Sequence, residues 1–345
     1  MSTGILALAS NEVQPRARAI KAYAPGLLLC LGGAAVAMIF SSFIPGLSAM
    51  IVAITAGIAL TNMTKLPSTF SPGIQVAAKT LLRWGIVFLG LKLVIADVRS
   101  LGLPMLLVII CIVSGGIIGT LLIGRLLKMK PAQVFLIACG FSICGAAAVA
   151  GVEGASDAEE EDVVIAVALV VIFGTIMIPT IPFLGALAGL APETMGMWAG
   201  GSVHEVAQVV AAGGAIGGSA LEIAVVVKLA RVLLLAPVVF ILGLVKRRQS
   251  SGVQTTGQEK RPPIVPLFII GFLSMVLLRS TVDLPEPVLA TGDFLQTILL
   301  ATAMFALGCG VKIQSLLHVG VRPFVLAFAS TVLVATIAFV GIELV

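Results

Sequence analysis

The sequence predicts an all-α integral membrane protein, a polytopic helical bundle of about eleven transmembrane helices with inverted repeats and broken or re-entrant helices. Three observations predict it. Hydrophobic residues fill 59% of the 345 positions, charged residues only 11%, and mean hydropathy is +1.18, whereas a soluble globular chain is about 25% charged. The apolar residues form repeated runs of about 18 to 22, long enough to span a bilayer as helix and without the alternation of an outer-membrane barrel. The basic residues cluster between alternate runs, as the positive-inside rule requires of cytoplasmic loops.

Residues 1–21 form a polar lead-in ending in Arg16, Arg18 and Lys21, which argues for a cytoplasmic N-terminus. The charged, apolar and cleavage-site series of a signal peptide is missing, so the run that follows reads as a retained span. The candidate spans are 22–42, 46–63, 81–98, 103–124, 131–151, 163–180, 194–216, 219–245, 263–280, 294–311 and 322–343. Threaded alternately, they leave Lys65, Lys79, Arg83, Arg125, Lys128, Lys130, Lys246, Arg247, Arg248, Lys260, Arg261, Lys312, His318 and Arg322 on the cytoplasmic side. The opposite side receives Glu153, Asp157, Glu159, Glu160, Glu161, Asp162, Asp283, Glu286 and Asp293. The expected location is therefore the cell inner membrane, multi-pass, with a periplasmic C-terminus. A polar stretch at 246–262 is a cytoplasmic linker between the first eight spans (22–245) and the last three (263–345).

Several function classes are excluded. The chain has no soluble stretch long enough for a catalytic head and no nucleotide-binding motif. Its net charge of +5 belongs to loops between spans and signals no nucleic-acid partner. Cys30, Cys111, Cys139, Cys144 and Cys309 all lie in apolar runs without metal-ligand spacing, so they read as small hydrophobes. No cofactor, metal or enzymatic activity is expected.

Two internal resemblances bear on architecture. Leu66-Pro67 through Gly90 and Lys92 matches Leu284-Pro285 through Gly310 and Lys312, and the next spans begin with Pro104 and Pro323. Alternate threading makes these copies cross in opposite directions, as in an inverted repeat. A shorter echo pairs the stretch from Ser142 to Gly151 with that from Ser202 to Ala211. Threading gives those two the same direction, which leaves one of them re-entrant or broken, or the 181–193 segment dipping into the membrane.

Ionisable residues inside spans default to functional hypotheses. His204, Glu205 and Gln208 follow Ser202 in a Gly/Ala-rich stretch, and a helix would stack His204 on Gln208. The position where a zinc hydrolase needs its second histidine holds Gln208, which removes a metalloprotease reading. Lys228 and Arg231 share a face of the next span, with Glu222 a turn earlier. The candidate substrate-binding set is Ser142, Ser202, His204, Glu205, Gln208, Lys228 and Arg231. The basic pair would supply charge for a small anion, and His204 or Glu205 would couple transport to protons, with sodium as the alternative. The plain alternative is a hydrogen-bond cluster holding the bundle, with Lys228 and Arg231 paired to Glu222 or Glu205. Lys92 and Lys312 read as interfacial anchors.

The stretch Gly201-Ser202-Val203-His204-Glu205-Val206-Ala207-Gln208 resembles the YeiH-like bacterial inner-membrane family. So do Lys228-Leu229-x-Arg231-Val232-Leu233-Leu234-Leu235-Ala236-Pro237 and Gly85-Ile86-Val87-Phe88-Leu89-Gly90. The likeness covers essentially the whole chain. That family is functionally uncharacterised and often labelled a sulfate exporter, so the resemblance implies a multi-pass inner-membrane protein and a suspected transporter, and the label adds some weight to an oxyanion substrate. The expectation is a secondary transporter of a small anion, sulfate, sulfonate or similar, working in the lipid bilayer and compatible with a homo-oligomer. Its rivals are a membrane scaffold or sensor and an intramembrane enzyme.

Overall fold

The computed structural model describes the backbone of residues 3–44, 48–154, 156–250, 266–311 and 320–345, with side chains described from Ala22 to Val245 and from Pro266 onward. Most of the 246–262 linker, together with Lys260, Arg261, Lys312 and His318, lies outside the described residues, as does the Lys312 end of the longer internal repeat. The regular structure of the described residues is helical: α1 (Thr3–Ser42), α2 (Ala49–Met63), α3 (Ser68–Lys92), α4 (Gly102–Leu126), α5 (Pro131–Ser142), α6 (Ala146–Glu153) and α7 (Glu160–Leu187). They continue as α8 (Pro192–Ser202), α9 (Val206–Ile216), α10 (Ala220–Leu233), α11 (Leu235–Ser250), α12 (Leu267–Thr281), α13 (Glu286–Gly310) and α14 (Arg322–Glu343). Among them, seven stretches are long and apolar enough to cross a membrane. The chain is thus an all-α, multi-helix membrane bundle. Residues 3–21, expected as a separate lead-in, share the continuous backbone of α1.

Local sequence explains the boundaries. Pro131 and Pro192 stand at the first positions of α5 and α8, where a missing N–H costs nothing. A reciprocal capping box between Glu159 and Asp162 starts α7, and the Ser48 side chain accepts from the Met50 amide at the start of α2. Small residues set the packing. Gly57 of α2 and Gly308 of α13 face each other with no space for a Cβ on either, which brings two helices to backbone contact.

The main departure from the expected topology is at 131–151 and 194–216, which do not cross. Three contacts show that α5 and α7 run side by side in the same direction. Lys130 pairs with Glu159 at 3.2 Å, Gly140 lies against Val170, and Phe141 meets Phe173 with ring centroids 6.2 Å apart. The intervening α6 must therefore come back, and it does: Glu153 pairs with Lys79 at 3.2 Å and shares a cavity mouth with Glu160. The same geometry recurs in the next unit. Glu193 and Ser219 approach to 3.5 Å, Gly196 lies against Ala220, and Gly200 lies against Ala224 and Val227, so α8 and α10 also run together. Helix α9 then returns, placing Gly213 against Leu221. Each pair is a helical hairpin.

Between the hairpins, α7 carries the chain 28 residues, roughly 42 Å of helix, so the hairpins enter from opposite faces. Their first arms, of 12 and 11 residues, reach about 16–18 Å, half the thickness of a bilayer core. Two expectations are corrected. Glu153 and Glu159 lie on the same face as Lys79 and Lys130, not opposite them, because a hairpin uses a span's worth of apolar residues without changing sides. For the same reason the Ser142 and Ser202 stretches are antiparallel rather than parallel. Helices α3 and α13 are also antiparallel: Lys92 meets Asp293 at one end, while Ser68 and Gly310 line one cavity at the other. That is the crossing sense expected of 66–92 and 284–312.

Candidate functional site

The hairpins meet tip to tip, and all seven predicted site residues are at that junction and buried. A broken helix in hydrocarbon leaves carbonyls at one end of the gap and amides at the other without partners. Residues from α10 satisfy the carbonyls. Arg231 Nη1 donates to Gly200 O at 2.9 Å, Gly201 O at 2.6 Å and Val203 O at 3.3 Å, all at the end of α8. Its Nη2 donates to Phe141 O at 3.1 Å and Ser142 O at 2.9 Å, and Nε donates to Ser142 O at 3.3 Å, at the end of α5. Lys228 Nζ donates to Ile143 O and Val203 O, both at 2.9 Å. The two cations thus staple the C-terminal ends of both first arms, where the helix dipoles are negative. Contrary to the plain alternative, neither pairs with Glu222 or Glu205.

Glu205 serves the opposite ends. Its Oε1 accepts from the Ala146 amide at 3.2 Å, the first residue of α6, and its carboxylate also accepts from the Gln208 amide in the first turn of α9. Gln208 returns the favour: its Oε1 accepts from the Glu205 amide at 3.1 Å and its Nε2 donates to Val171 O at 3.3 Å. The turn that brings Ala146 to Glu205 needs Gly145, whose φ of 75° and ψ of −134° suit glycine and whose missing Cβ would collide with Glu205 Cγ.

His204 lies against the Phe141 ring, centroids 4.4 Å apart, with Nε2 3.1 Å from Thr331 Oγ1. The Thr331 hydroxyl is also 2.9 Å from Ala327 O, and through this contact His204 ties the junction to α14. The Ser142 and Ser202 hydroxyls have no hydrogen-bond partner among the described residues, and Ser142 packs on Gly116 of α4. The expected face shared by His204 and Gln208 does not form, because the chain is extended at Val203 and Glu205 and α9 starts only at Val206.

Two cavities approach the junction from opposite faces. The first, about 410 Å³, opens beside Lys65, Lys79, Glu153 and Glu160 and ends at Ala146 and Ala150. The second, about 390 Å³, opens beside Ser41, Ser48 and Lys92 and ends at Cys144, Ala147 and Glu205. Leu82 lines both, so one leucine and the first turn of α6 separate them. Of the seven predicted residues, Glu205 alone lines either cavity. Gln296 of α13, which sequence reasoning passed over, lines the second cavity, is 2% exposed, and has an Oε1 without a partner among the described residues. Its signal was available: a lone carboxamide within an apolar run.

The family model described as "Conserved hypothetical protein 698" matches residues 25–327. The chain belongs to that family. It is 64% identical to a UPF0324 membrane protein of Corynebacterium glutamicum over 341 residues, covering 99% of this chain and 98% of the relative. Family members of Bacteroides thetaiotaomicron and Agrobacterium fabrum are 40% and 35% identical. They cover 81% and 91% of this chain, and 84% and 91% of their own lengths. No solved structure matches this chain. UPF0324 membership makes this a polytopic membrane protein of an uncharacterised family.

Proposed function

We propose that the protein is a secondary transporter of a small anion, of the sulfate, sulfonate or related oxyanion class, in the inner membrane. The observation that carries this reading is the pair of cavities from opposite faces, both ending on the first turn of α6 beside Glu205. A site reached alternately from each side through a thin barrier is what alternating access requires. A scaffold or sensor needs no second cavity, and an intramembrane enzyme needs none opposite the first.

Charge favours an anion. The two C-terminal and two N-terminal half-helix ends cancel at about half a charge each. Lys228 and Arg231 then face one carboxylate, Glu205, which leaves one positive charge at the junction. The basic pair acts through this field, since its donors are held by carbonyls. In this reading the chain crosses the membrane nine times, with the hairpins entering from opposite sides, the N-terminus inside and the C-terminus outside. The unit 131–187 and the unit 192–245 are then the inverted pair, each a hairpin followed by a crossing. Glu205, the ionisable residue at the cavity floor, couples movement to protons, and the sulfate-exporter label of YeiH-like proteins fits the anion class.

The test is reconstitution in liposomes with radiolabelled sulfate, sulfite, taurine and short carboxylates, with and without pH or sodium gradients. Uptake or exchange of at least one is expected. If none moves under any gradient, the transport reading fails.

A further inference from the structure

Resting on the transport reading, we propose that the second cavity seats a small organic monoanion, one carboxylate or sulfonate on a short apolar body, in preference to inorganic sulfate. Its walls are Ile86, Leu89, Val210, Leu300 and Met304, which stabilise an apolar body and offer nothing to the oxygens of a fully hydrated dianion. The floor is different. Ala147 stands in the first turn of α6 and Val206 and Ala207 in the first turn of α9, and all three line the cavity. First-turn amides have no acceptor on their own helix, and two helices of eight and eleven residues turn their positive ends to one place.

Glu205 engages the Ala146 and Gln208 amides and the Ala148 amide donates to Gly145 O, which leaves those of Ala147, Val206 and Ala207 to a ligand. A second and independent pointer is Gln296, which lines the same cavity, is 2% exposed and has a carboxamide whose Oε1 is enclosed without a partner among the described residues. With that oxygen enclosed, the NH₂ is the end of the carboxamide left to the cavity, and it gives the headgroup a neutral donor. The charge count sets the valence: one uncompensated positive charge is neutralised by one negative charge, whereas sulfate would overshoot. At the mouth, Lys92 is already paired with Asp293 and adds no net charge.

The test uses the purified full-length protein in detergent. Thermal unfolding is followed with propane-1-sulfonate, butyrate, sulfate and butylammonium at matched ionic strength. The expected result is stabilisation by propane-1-sulfonate and butyrate, and none by sulfate or butylammonium. Gln296→Leu should weaken the apparent affinity roughly tenfold to a hundredfold, the effect of losing one charge-assisted hydrogen bond. Because that variant could misfold, a second measurement uses wild-type Gln296 with the lipid-facing Cys111 replaced by serine. There, propane-1-sulfonate should slow alkylation of Cys144, which lines the same cavity.

Equal stabilisation by sulfate, stabilisation by the ammonium alone, or no protection of Cys144 would each overturn the assignment. If labelled sulfate crosses liposomes while organic monoanions neither bind nor move, this inference falls and the transport reading stands. If organic monoanions bind but nothing moves, the reverse holds.

Discussion

Replacing Arg231 with lysine keeps the charge and removes the geometry, so it isolates what the guanidinium does at the junction. Arg231 serves five carbonyls, those of Phe141, Ser142, Gly200, Gly201 and Val203. An ammonium has three donors and Lys228 still serves Val203 O, so at least one of the other four carbonyls loses its partner in this buried region. Each buried carbonyl left unsatisfied costs about 1–3 kcal/mol, which puts Arg231→Lys at about 1–3 kcal/mol destabilised at the least. A matched control is Arg125→Lys at the exposed end of α4, expected to stay within about 0.5 kcal/mol of wild type. Equilibrium unfolding of both variants in mixed micelles, extrapolated linearly to zero denaturant, measures the difference. A gap under about 0.5 kcal/mol would refute the claim that Arg231 staples the two helix ends, because Lys228 also serves only one of its five carbonyls, that of Val203.

Three further outcomes follow from the same geometry. Gly145→Ala should destabilise by at least about 1–3 kcal/mol through its glycine-only backbone region, with more from the collision with Glu205, and detergent unfolding would show it. Glu205→Ala should cost about 0.5–2 kcal/mol for each of its two caps while Glu205→Gln, which keeps an acceptor, costs less; equal losses in both would mean that the carboxylate does not cap α6 and α9. In intact cells, Gly154→Cys and Lys65→Cys should react with an impermeant maleimide from one side and Asp283→Cys from the other; labelling Gly154→Cys from the Asp283 side would restore a crossing at 131–151.

Hydrophobic runs and their charged flanks made the helices legible, including the long α4, α7, α13 and α14. The hairpins were not legible in that way. An apolar stretch such as 131–151 has the length of a span whether it crosses or doubles back, and the bend shows only as Gly145 among other small residues. The acidic residues from Glu153 to Asp162 could not correct the error, since the positive-inside rule counts lysine and arginine and is nearly blind to carboxylates. Lys228, Arg231, His204 and Glu205 stood out because ionisable groups in hydrocarbon are rare. Their partners did not, since a bond to a backbone carbonyl leaves no mark on the sequence that supplies it. Gln296 and Thr331 lie on α13 and α14, far along the chain, and only the fold brings them near.

The residues most conspicuous in the sequence are thus largely the ones that hold the break together, and the physics explains why. In water, a helix interrupted halfway hands its free carbonyls and amides to solvent; in a bilayer it cannot. Two hairpins meeting tip to tip expose two C-terminal ends and two N-terminal ends, and each kind demands charge of the opposite sign. The C-terminal ends receive two cations, Arg231 and Lys228, with their donors committed. The N-terminal ends receive one carboxylate, Glu205, which engages one amide of each helix. The set is complete on one side and incomplete on the other. The incomplete side faces a cavity, and the proposed monoanion is the charge that would complete it.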